Sequence, residues 1–440
     1  MREWIVTKIH KDLPVFLIEG YNILYIPGYI CRVSSSDAEE IKNFFASPES
    51  NVSKRVKNLA SKLTEYALKV QETWKKKLYS PFEPVCLTLY LSNRCNLKCS
   101  YCYTGKVSKN SYSIDEKAVI GAAEFVLNVC RKKNHPFLFV LNGGGEPSVQ
   151  WEQVVRLEDI TRKTAEKFNV EWHGTIITNG VMQEEHVIWL CKHFNHIAMS
   201  CDGPPFIQDR QRPLKNGELS SPYVERTAEI INRLGVSMSV RATITPDTVE
   251  YQSHIVEYLY EKLSAINMRF EPVYEVWNRN KSPFKNKDAS QFAEHFISAQ
   301  KKAEKLGCNL TCSGVRLNEL HRSYCSMFRN VLHLVPPDGI SGCFFCTDSS
   351  VRPELLTGNF YKGEIKINQE LIDFYRHKPL PKKCSSCINI YHCSGECPEI
   401  CSVTENNETE GFLCLVQKEL ALRWILEMAG HNNGTIYNSI

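Results

Sequence analysis

Three cysteines lie close together in the segment LSNRCNLKCSYCYTG, residues 91–105. We call Cys95, Cys99 and Cys102, spaced C-x3-C-x2-C, the cysteine triplet. Structural zinc sites take four protein ligands and usually present thiolates as C-x2-C pairs. In a four-iron cubane cluster, by contrast, each iron takes one thiolate. The triplet therefore favours an iron–sulfur cluster in which one iron is left to hold a further ligand.

A second group of cysteines occupies the C-terminal part of the chain. Eleven of the nineteen cysteines fall between Cys308 and Cys414, a region that we call the second cysteine field. Four of them, in CSSCINIYHCSGEC, are spaced C-x2-C-x5-C-x3-C. The field comprises Cys308, Cys312, Cys325, Cys343, Cys346, Cys384, Cys387, Cys393, Cys397, Cys401 and Cys414. Such clustering in a long chain predicts metal or cluster ligation, although two C-x2-C pairs are also typical of zinc ribbons.

The bulk composition is that of a globular protein. With 440 residues, 43% of them apolar and 23% charged, the chain is long enough for two or three modules. A net charge of +4 does not favour a nucleic-acid or membrane partner. The sequence has no apolar run long enough to span a bilayer and no signal-peptide pattern, so we predict a cytoplasmic protein with reduced thiols. The scattered cysteines are interpreted as packing residues: Cys31, Cys86, Cys130, Cys191 and Cys201.

The elements that must position these residues alternate between strands and helices. Six β-rich runs are each followed by a helical pattern, and they span residues 85–92, 136–144, 171–180, 196–203, 236–245 and 266–276. One helix, residues 114–130, is preceded by a capping-box pair of Ser113 and Glu116. This alternation predicts a parallel sheet with helices outside, either open and doubly wound or an incomplete barrel. Both place their chemistry at the C-terminal ends of the strands, where the triplet lies.

The two ends of the chain differ from this α/β core, residues 85–307. Residues 1–84 are expected to form short paired strands followed by a basic amphipathic helix over residues 52–79. That helix is interpreted as a solvated surface element, with docking of an acidic partner peptide as the alternative. Residues 308–415 form the cysteine-rich part. Residues 416–440 contribute a C-terminal helix and tail.

The triplet, with Tyr101 just before its last cysteine, resembles the signature of radical S-adenosylmethionine (AdoMet) enzymes. Elements at three further strand ends resemble that family too: GGGEP at 143–147, TNG at 178–180 and SCDGPPFIQDRQRP from residue 200. Gln208 stands where the family commonly has a histidine. The resemblance implies an incomplete (β/α)6 TIM-like barrel and AdoMet as the missing cluster ligand. The implied cofactor-binding residues are Tyr101, Gly144, Gly145, Glu146, Thr178, Asn179, Ser200, Asp202, Arg212 and Arg241.

The second cysteine field resembles the seven-cysteine SPASM extension of these enzymes, which binds two auxiliary four-iron clusters. The resemblance assigns an outer set, Cys384, Cys387, Cys393 and Cys414. It assigns an inner set, Cys325, Cys343 and Cys397, whose fourth ligand is Cys312 or is absent. The family's glycine usually lies five residues before the second cysteine, whereas Gly339 lies four before Cys343. Cys346 therefore stays open as a substitute ligand. In total, three [4Fe-4S] clusters are implied.

Enzymes with this extension mostly modify peptides or proteins through a 5′-deoxyadenosyl radical made by reductive cleavage of AdoMet. The resemblance implies a maturase that forms a thioether or carbon–carbon crosslink in a ribosomally made precursor peptide. Residues 1–84 would hold its leader, a flavodoxin- or ferredoxin-type protein would donate electrons, and Asp348 would be the general base. The alternatives are anaerobic sulfatase maturation by formylglycine formation and a non-catalytic zinc or redox-carrier protein.

Overall fold

The N-terminal part folds as a small antiparallel sheet covered by helices. The computed structural model describes residues 5–78, 81–104, 113–273, 283–322, 325–395, 397 and 410–431. Strands β1 (Val6–Lys8), β2 (Phe16–Ile18), β3 (Ile23–Ile26) and β4 (Tyr29–Arg32) pair in the order of the sequence. Each strand is antiparallel to the next, so this sheet is a simple meander.

Two helices follow this sheet, α1 (Ser35–Ala46) and α2 (Lys54–Lys76). The residues of α2 that are buried lie three or four positions apart: Val56, Ala60, Leu63, Ala67, Val70 and Trp74. That spacing places them on one face of a helix. The predicted amphipathic helix is thus present, and its apolar face joins the core of the N-terminal sheet while its lysines stay outside.

The central sheet contains six parallel strands in sequence order. They are β5 (Cys86–Tyr90), β6 (Phe137–Asn142), β7 (Trp172–Thr178), β8 (His196–Ser200), β9 (Ser237–Ile244) and β10 (Asn267–Pro272). Every neighbouring pair is parallel. Because the strand order never reverses, the chain winds in one direction, as in a barrel, and not as in a doubly wound sheet. The incomplete (β/α)6 arrangement predicted from the sequence is therefore present.

The helices of the barrel cover one face of this sheet. They are α3 (Glu116–Lys133), α4 (Trp151–Lys167), α5 (Glu184–His193), α6 (Pro205–Gln211), α7 (Ser221–Arg233), α8 (Gln252–Leu263) and α9 (Ala289–Lys305). The predicted capping box of Ser113 and Glu116 is wrong, because Asp115 is the N-cap of α3 and accepts a hydrogen bond from Lys117 N at 2.9 Å. Aspartate is as strong an N-cap as serine and stands directly before the first helical residue.

The sheet continues beyond the predicted boundary at residue 307. Strand β11 (Asn309–Thr311) pairs in parallel with β10, and β12 (Val331–Val335) pairs in parallel with β5 at the other side. Three antiparallel strands extend it further: β13 (Gly339–Ser341), β14 (Leu356–Tyr361) and β15 (Glu364–Ile367). The beginning of the second cysteine field is thus built into the same eleven-stranded sheet as the triplet.

The C-terminal part packs against the N-terminal sheet. Its helices are α10 (Gln369–Arg376), α11 (Ile390–Cys393) and α12 (Phe412–His431). Tyr25 of β3 and His392 of α11 share a hydrogen bond of 2.7 Å between Oη and Nε2. The ring of Trp74 lies 4.8 Å from that of Tyr391, and its Nε1 donates to the carbonyl of His321. One apolar core therefore joins the N-terminal unit to the segment that carries the outer cysteines.

The cysteines outside the two motif regions are packing residues where they are buried. Cys86, Cys130 and Cys201 lie in the main core, and burial raises the pKa of Cys86 and of Cys201 to about 12. Cys31 and Cys191 are half-buried. No disulfide joins any of the eighteen cysteines that the structure describes. Within the same residues, no helix is both long and apolar enough to cross a bilayer.

Candidate active site

Four motif-bearing loops meet at the C-terminal edge of the parallel sheet. The loop after β5 carries the triplet, and the loops after β6, β7 and β8 carry GGGEP, TNG and SCDGP. Parallel strands bring their C-terminal ends to one edge, so segments far apart in sequence become neighbours there. Backbone hydrogen bonds confirm the approach: Lys98 N donates to Pro213 O, and Ser100 N donates to Gln211 O, both at 2.9 Å.

The three cysteines of the triplet are all half-buried at this edge of the sheet. Cys102 N donates to Cys99 O at 3.2 Å, which closes a tight turn between these cysteines. Leu97 N donates to the sulfur of Cys95 at 3.4 Å. Burial raises the pKa of Cys99 to about 12, and Cys102 and Cys95 add to this rise because their charges are close. Three converging thiols with an N–H group aimed at sulfur fit a thiolate-bound iron cluster.

The GGGEP loop after β6, residues 143–147, packs directly on the segment that leads into the triplet, and we call it the glycine loop. Gly145 N donates to Ser92 O at 2.9 Å, and Glu146 N donates to Arg94 O at 2.8 Å. A Cβ on Gly145 would lie 1.9 Å from Arg94 O, and one on Gly144 would lie 2.3 Å from Asn93 Oδ1. Both distances are far shorter than a van der Waals contact. Gly145 is therefore required for the two loops to approach, because the atom that it faces belongs to the backbone, whereas at Gly144 the side chain of Asn93 would have to move.

We expect Gly145→Ala to weaken AdoMet binding strongly, because the methyl group must push the glycine loop away from Arg94. Forced overpacking of this kind costs about 1–3 kcal/mol of stability. Gly430→Ala is the matched control, since nothing lies within 4 Å of a Cβ there. Equilibrium dialysis with labelled AdoMet measures the effect on each reconstituted variant. Equal AdoMet affinity in the two variants would show that the close approach of the loops is not needed.

Glu146 holds the glycine loop to the TNG loop. Its side chain is only 4% exposed and accepts hydrogen bonds from Thr178 Oγ1 at 2.8 Å and from Asn179 N at 2.7 Å. Burial raises the pKa of Glu146, while these hydrogen bonds act in the opposite direction. Asn179 in turn donates to Asn96 Oδ1 at 2.8 Å and lies 3.8 Å from the sulfur of Cys95. The carboxylate thus fixes the loops around the triplet.

Asp202 is the centre of a second buried network. It accepts hydrogen bonds from Tyr101 Oη at 2.6 Å and Gln211 Nε2 at 2.7 Å, and from Thr243 N at 2.9 Å. Arg212 Nε lies 3.0 Å from Asp202 Oδ1. Burial alone would lower the pKa of Arg212, but Asp202, Tyr101 and Cys99 raise it above its usual range. A charged guanidinium therefore stays beside the triplet.

Two residues of the SCDGP segment have structural roles that the sequence reading missed. Gln208 is fully buried; its Oε1 accepts from Asp202 N at 2.9 Å and its Nε2 donates to Ser220 at 3.0 Å. Asp209 accepts from the backbone N–H groups of Ser220 and Ser221, both at 2.8 Å, at the start of α7. The only sequence signal for Gln208 was that it replaces the family's usual histidine.

Ser200 and Arg241 occupy neighbouring positions on β8 and β9. They are paired in the parallel register, and Arg269 is paired with Arg241 on β10. Arg241 is exposed. Burial raises the pKa of Tyr103 and of Cys312, and the guanidinium of Arg241 is close enough to both groups to oppose this rise. Since Ser200 is the last residue of β8, this places a guanidinium near the same edge as the triplet.

Asp348 belongs to the second cysteine field, two residues after Cys346, and lies beside Asn93 in the segment that leads into the triplet. It is 1% exposed; its Oδ1 accepts from Ser350 N at 2.8 Å, and its Oδ2 lies 3.5 Å from Asn93 Nδ2. Asn93 also donates to Thr347 Oγ1 at 3.3 Å and is the residue that faces Gly144. The candidate base is therefore a buried carboxyl group connected through one amide to the predicted AdoMet loop.

The second cysteine field separates into groups. Burial raises the pKa of Cys343, and the charges of Cys397, Cys346 and Cys325 add to the rise. Cys387 N donates to Cys384 O at 3.2 Å. Cys401 lies outside the described residues. Within those residues, no three Cys, His, Asp or Glu side chains are arranged to hold a single metal ion.

The outer set has its own neighbours. Cys387 and Cys414 both act on the ammonium group of Lys418 in α12. Burial lowers the pKa of Lys418, but Glu410 and the two thiols raise it, and the net effect is a rise. Cys384 and Cys393 are buried on the same segment, close to the N-terminal sheet.

A separate open pocket of about 420 Å³ lies beside the TNG loop, lined by Val181, Met182, Gln183, Glu184, Glu185, Tyr223 and Arg226.

Comparison with known proteins agrees with this arrangement. The family model described as the radical SAM superfamily matches residues 89–259, which contain all four motif loops. The chain carries a radical SAM domain. This confirms the predicted radical SAM domain, and such a domain implies a [4Fe-4S] cluster and AdoMet as cofactors.

One curated relative is the cysteine-type anaerobic sulfatase-maturating enzyme of Clostridium perfringens. It is 28% identical over 215 residues, which cover 47% of this chain and 57% of that protein. The match thus spans little more than half the length of the relative.

Two solved structures share the fold. The structure of anSMEcpe with bound AdoMet and Cp18Cys peptide gives a TM-score of 0.61 at 20% identity, covering 79% of this chain and 99% of that chain. The structure of Streptococcus suis SuiB bound to precursor peptide SuiA gives a TM-score of 0.52 at 16% identity, covering 89% of this chain and 94% of that chain. At these identities the likeness confirms the radical SAM fold and no more.

Proposed function

We propose that this radical SAM chain is a SPASM-type maturase that installs a thioether or carbon–carbon crosslink in a ribosomally synthesised precursor peptide. The observation that carries the proposal is the folded N-terminal unit, which packs on the segment bearing the outer cysteines through Tyr25 and Trp74. A barrel and two auxiliary clusters alone would not need this unit. A leader peptide, held there, would place its core segment near the barrel.

The match to the peptide-bound SuiB structure supports this role for the N-terminal unit. It covers 89% of this chain, more than residues 85–440 alone amount to, so it extends into the N-terminal 84 residues. The anSMEcpe structure covers 79% of the chain. A shared fold in this region favours an enzyme that holds a precursor peptide.

In this proposal some residues of the chain bind the cluster and AdoMet, and others keep those binding residues in position. The triplet holds the AdoMet-binding cluster, and the glycine loop with Asn179, Ser200 and Arg241 lines the AdoMet site. When bound, the cluster and AdoMet supply the radical chemistry that removes a hydrogen atom from an unactivated carbon. Glu146 and Asp202 position these groups, because their carboxylates are engaged by the neighbouring loops.

Asp348 is proposed to accept the proton that is released when the new bond forms. Its burial beside Asn93 keeps it away from bulk water and close to the AdoMet loop. The inner and outer sets are proposed to hold the two auxiliary clusters, which exchange electrons with a flavodoxin- or ferredoxin-type donor. A cytoplasmic location is proposed as well.

Sulfatase maturation is the second candidate function. The observation in its favour is the 28% identity to the Clostridium perfringens sulfatase-maturating enzyme. The third idea, a non-catalytic zinc or redox carrier, is wrong, because the radical SAM domain contains the glycine, TNG and SCDGP loops as one assembled site.

The deciding experiment presents two substrates to the anaerobically reconstituted enzyme with AdoMet and dithionite. One is a precursor peptide encoded beside the gene, and the other is a sulfatase peptide that contains the target cysteine. We expect the precursor to lose the mass of two hydrogen atoms, as a crosslink requires, and the sulfatase peptide to stay unchanged. An aldehyde formed on the sulfatase peptide would overturn the proposal in favour of the second candidate, and so would an unmodified precursor.

A further inference from the structure

Two arginines lie side by side on the central sheet. Arg241 of β9 and Arg269 of β10 are paired in the parallel register, and both are exposed. Ser200 at the end of β8 and Thr311 on β11 are paired with them on either side. The four residues thus form one row across four neighbouring strands, which we call the arginine row. Side chains in such a row leave the sheet on the same face.

The arginine row belongs to the face of the sheet that lines the interior of the barrel. The residues directly before and after each arginine point to the other face, because successive side chains alternate along a strand. Those four residues are at most 2% exposed and belong to the main apolar core: Val240, Ala242, Met268 and Phe270. That core lies under the helices, which cover the outside of a (β/α) barrel. The two guanidinium groups are therefore presented to the space that the barrel encloses.

The acidic residue that follows Arg269 on the same strand is engaged by another group. Glu271 is two positions further along β10, so it leaves the sheet on the same face, but it is only 2% exposed. Its Oε1 accepts hydrogen bonds from the backbone N–H and the hydroxyl group of Ser313. In the part of the chain that the structure describes, no carboxylate forms an ion pair with Arg269. Its guanidinium is therefore available to an anion that enters the barrel.

Two neighbouring guanidinium groups favour two anionic ligands. Like charges at paired positions of adjacent strands repel each other, and an anion bound at each of them relieves the repulsion. Arg241, beside Ser200, lines the proposed AdoMet site and is suited to the carboxylate of that ligand. Arg269 is one strand further on, about 5 Å away. A second carboxylate, held there through two parallel N–H···O bonds, would lie next to AdoMet.

We propose that Arg269 binds a carboxylate of the precursor peptide and thereby holds the residue that is modified beside AdoMet. The carboxylate belongs to an aspartate or glutamate side chain or to the C-terminus of the peptide, because an unmodified peptide has no other. The proposal rests on the proposed function, since it assumes that a precursor peptide enters the barrel. It specifies the substrate as a peptide with an anionic group at the reaction site, and it makes Arg269 a specificity-determining residue.

The test compares Arg269→Gln with Arg233→Gln in the anaerobically reconstituted full-length enzyme, with the precursor peptide encoded beside the gene as substrate. Arg233 is the exposed last residue of α7 and serves as the matched control, which should keep the wild-type KM. We expect Arg269→Gln to raise the KM for the peptide by about 10–100-fold, as the loss of hydrogen bonds to a charged group does. Its AdoMet affinity, measured by equilibrium dialysis, should equal that of the wild type. Arg269→Lys should recover part of the KM, because it keeps the charge.

Peptide variants identify the source of the carboxylate. Each Asp and Glu of the core segment is changed to Asn or Gln, one at a time, and one further peptide carries a C-terminal amide. One of these peptides should raise the KM of the wild-type enzyme as much as Arg269→Gln does. Combined with Arg269→Gln, that peptide should raise the KM no further, because both changes remove the same contact.

The outcomes separate this proposal from the proposed function. An unchanged KM in Arg269→Gln, with the precursor still modified, would overturn this proposal and leave the proposed function in place. Loss of AdoMet affinity in Arg269→Gln would assign the arginine to AdoMet and would overturn it as well. So would additive effects for every peptide variant, since Arg269 would then contact no carboxylate of the peptide. A precursor that the wild-type enzyme leaves unmodified would contradict the proposed function, and this proposal with it.

Discussion

Replacement of Cys95, Cys99 and Cys102 by Ala is expected to abolish reductive cleavage of AdoMet and leave the auxiliary clusters bound. Cys99 and Cys102 share one turn, Cys95 lies beside Asn179, and the three thiols are the proposed ligands of the AdoMet-binding cluster. Without that cluster no electron can reach AdoMet. The second cysteine field lies on other strands and loops, so its ligands are unaffected. 5′-Deoxyadenosine formed with dithionite, measured by liquid chromatography and mass spectrometry, should fall to the level of a protein-free control.

A matched control removes three cysteines that no cluster is proposed to use. Cys31 and Cys191 are half-buried, and Cys308 is buried with its thiol 3.6 Å from Ala265 O. A variant with Ala at these three positions should still cleave AdoMet. Full cleavage activity in the triplet variant would contradict the catalytic role of Cys95, Cys99 and Cys102, whatever the control shows.

Asp348→Asn is expected to lower crosslink formation by about 10²–10⁴-fold, the usual contribution of a general base, while AdoMet cleavage continues. Asparagine keeps the shape of the side chain and can still accept the hydrogen bond from Ser350 N. It cannot accept a proton. The ratio of crosslinked peptide to 5′-deoxyadenosine therefore measures the loss separately from any change in AdoMet binding.

Asp338→Asn is the matched control for this change. Asp338 lies in the turn between β12 and β13, only ten positions before Asp348, and is half-buried. Its variant should keep the wild-type product ratio. A wild-type ratio in Asp348→Asn would assign Asp348 a structural role, in which its carboxylate merely holds Asn93 and Ser350.

Much of the barrel could be predicted because its strands are long enough to show a pattern. Strands β5 to β10 begin and end within a few residues of the predicted runs. Buried and half-buried positions alternate along β6, β7 and β8, whereas β5 is a short run of buried residues. The motif loops follow directly, because a residue that comes just after a parallel strand must lie at the sheet's C-terminal edge. Residue types at those positions then indicated the chemistry.

Other features depend on contacts that sequence does not encode locally. Strands β11 and β13 have three residues each, too short for any periodicity, so the extension of the sheet past residue 307 was missed. Glu146 was predicted to bind the cofactor, and the hydrogen bonds that its carboxylate accepts from the TNG loop could not be read from the sequence. Asn93, which links Gly144 to Asp348, gave no signal because a single asparagine in a loop has many roles.

The most direct test of a radical SAM chain with two auxiliary clusters is the iron and sulfide content after anaerobic purification and reconstitution. We expect about 12 iron and about 12 sulfide per chain, which is one catalytic cluster and two auxiliary ones. About 4 iron, together with bound zinc, would mean that the second cysteine field binds zinc and that the proposed peptide maturase lacks its auxiliary clusters.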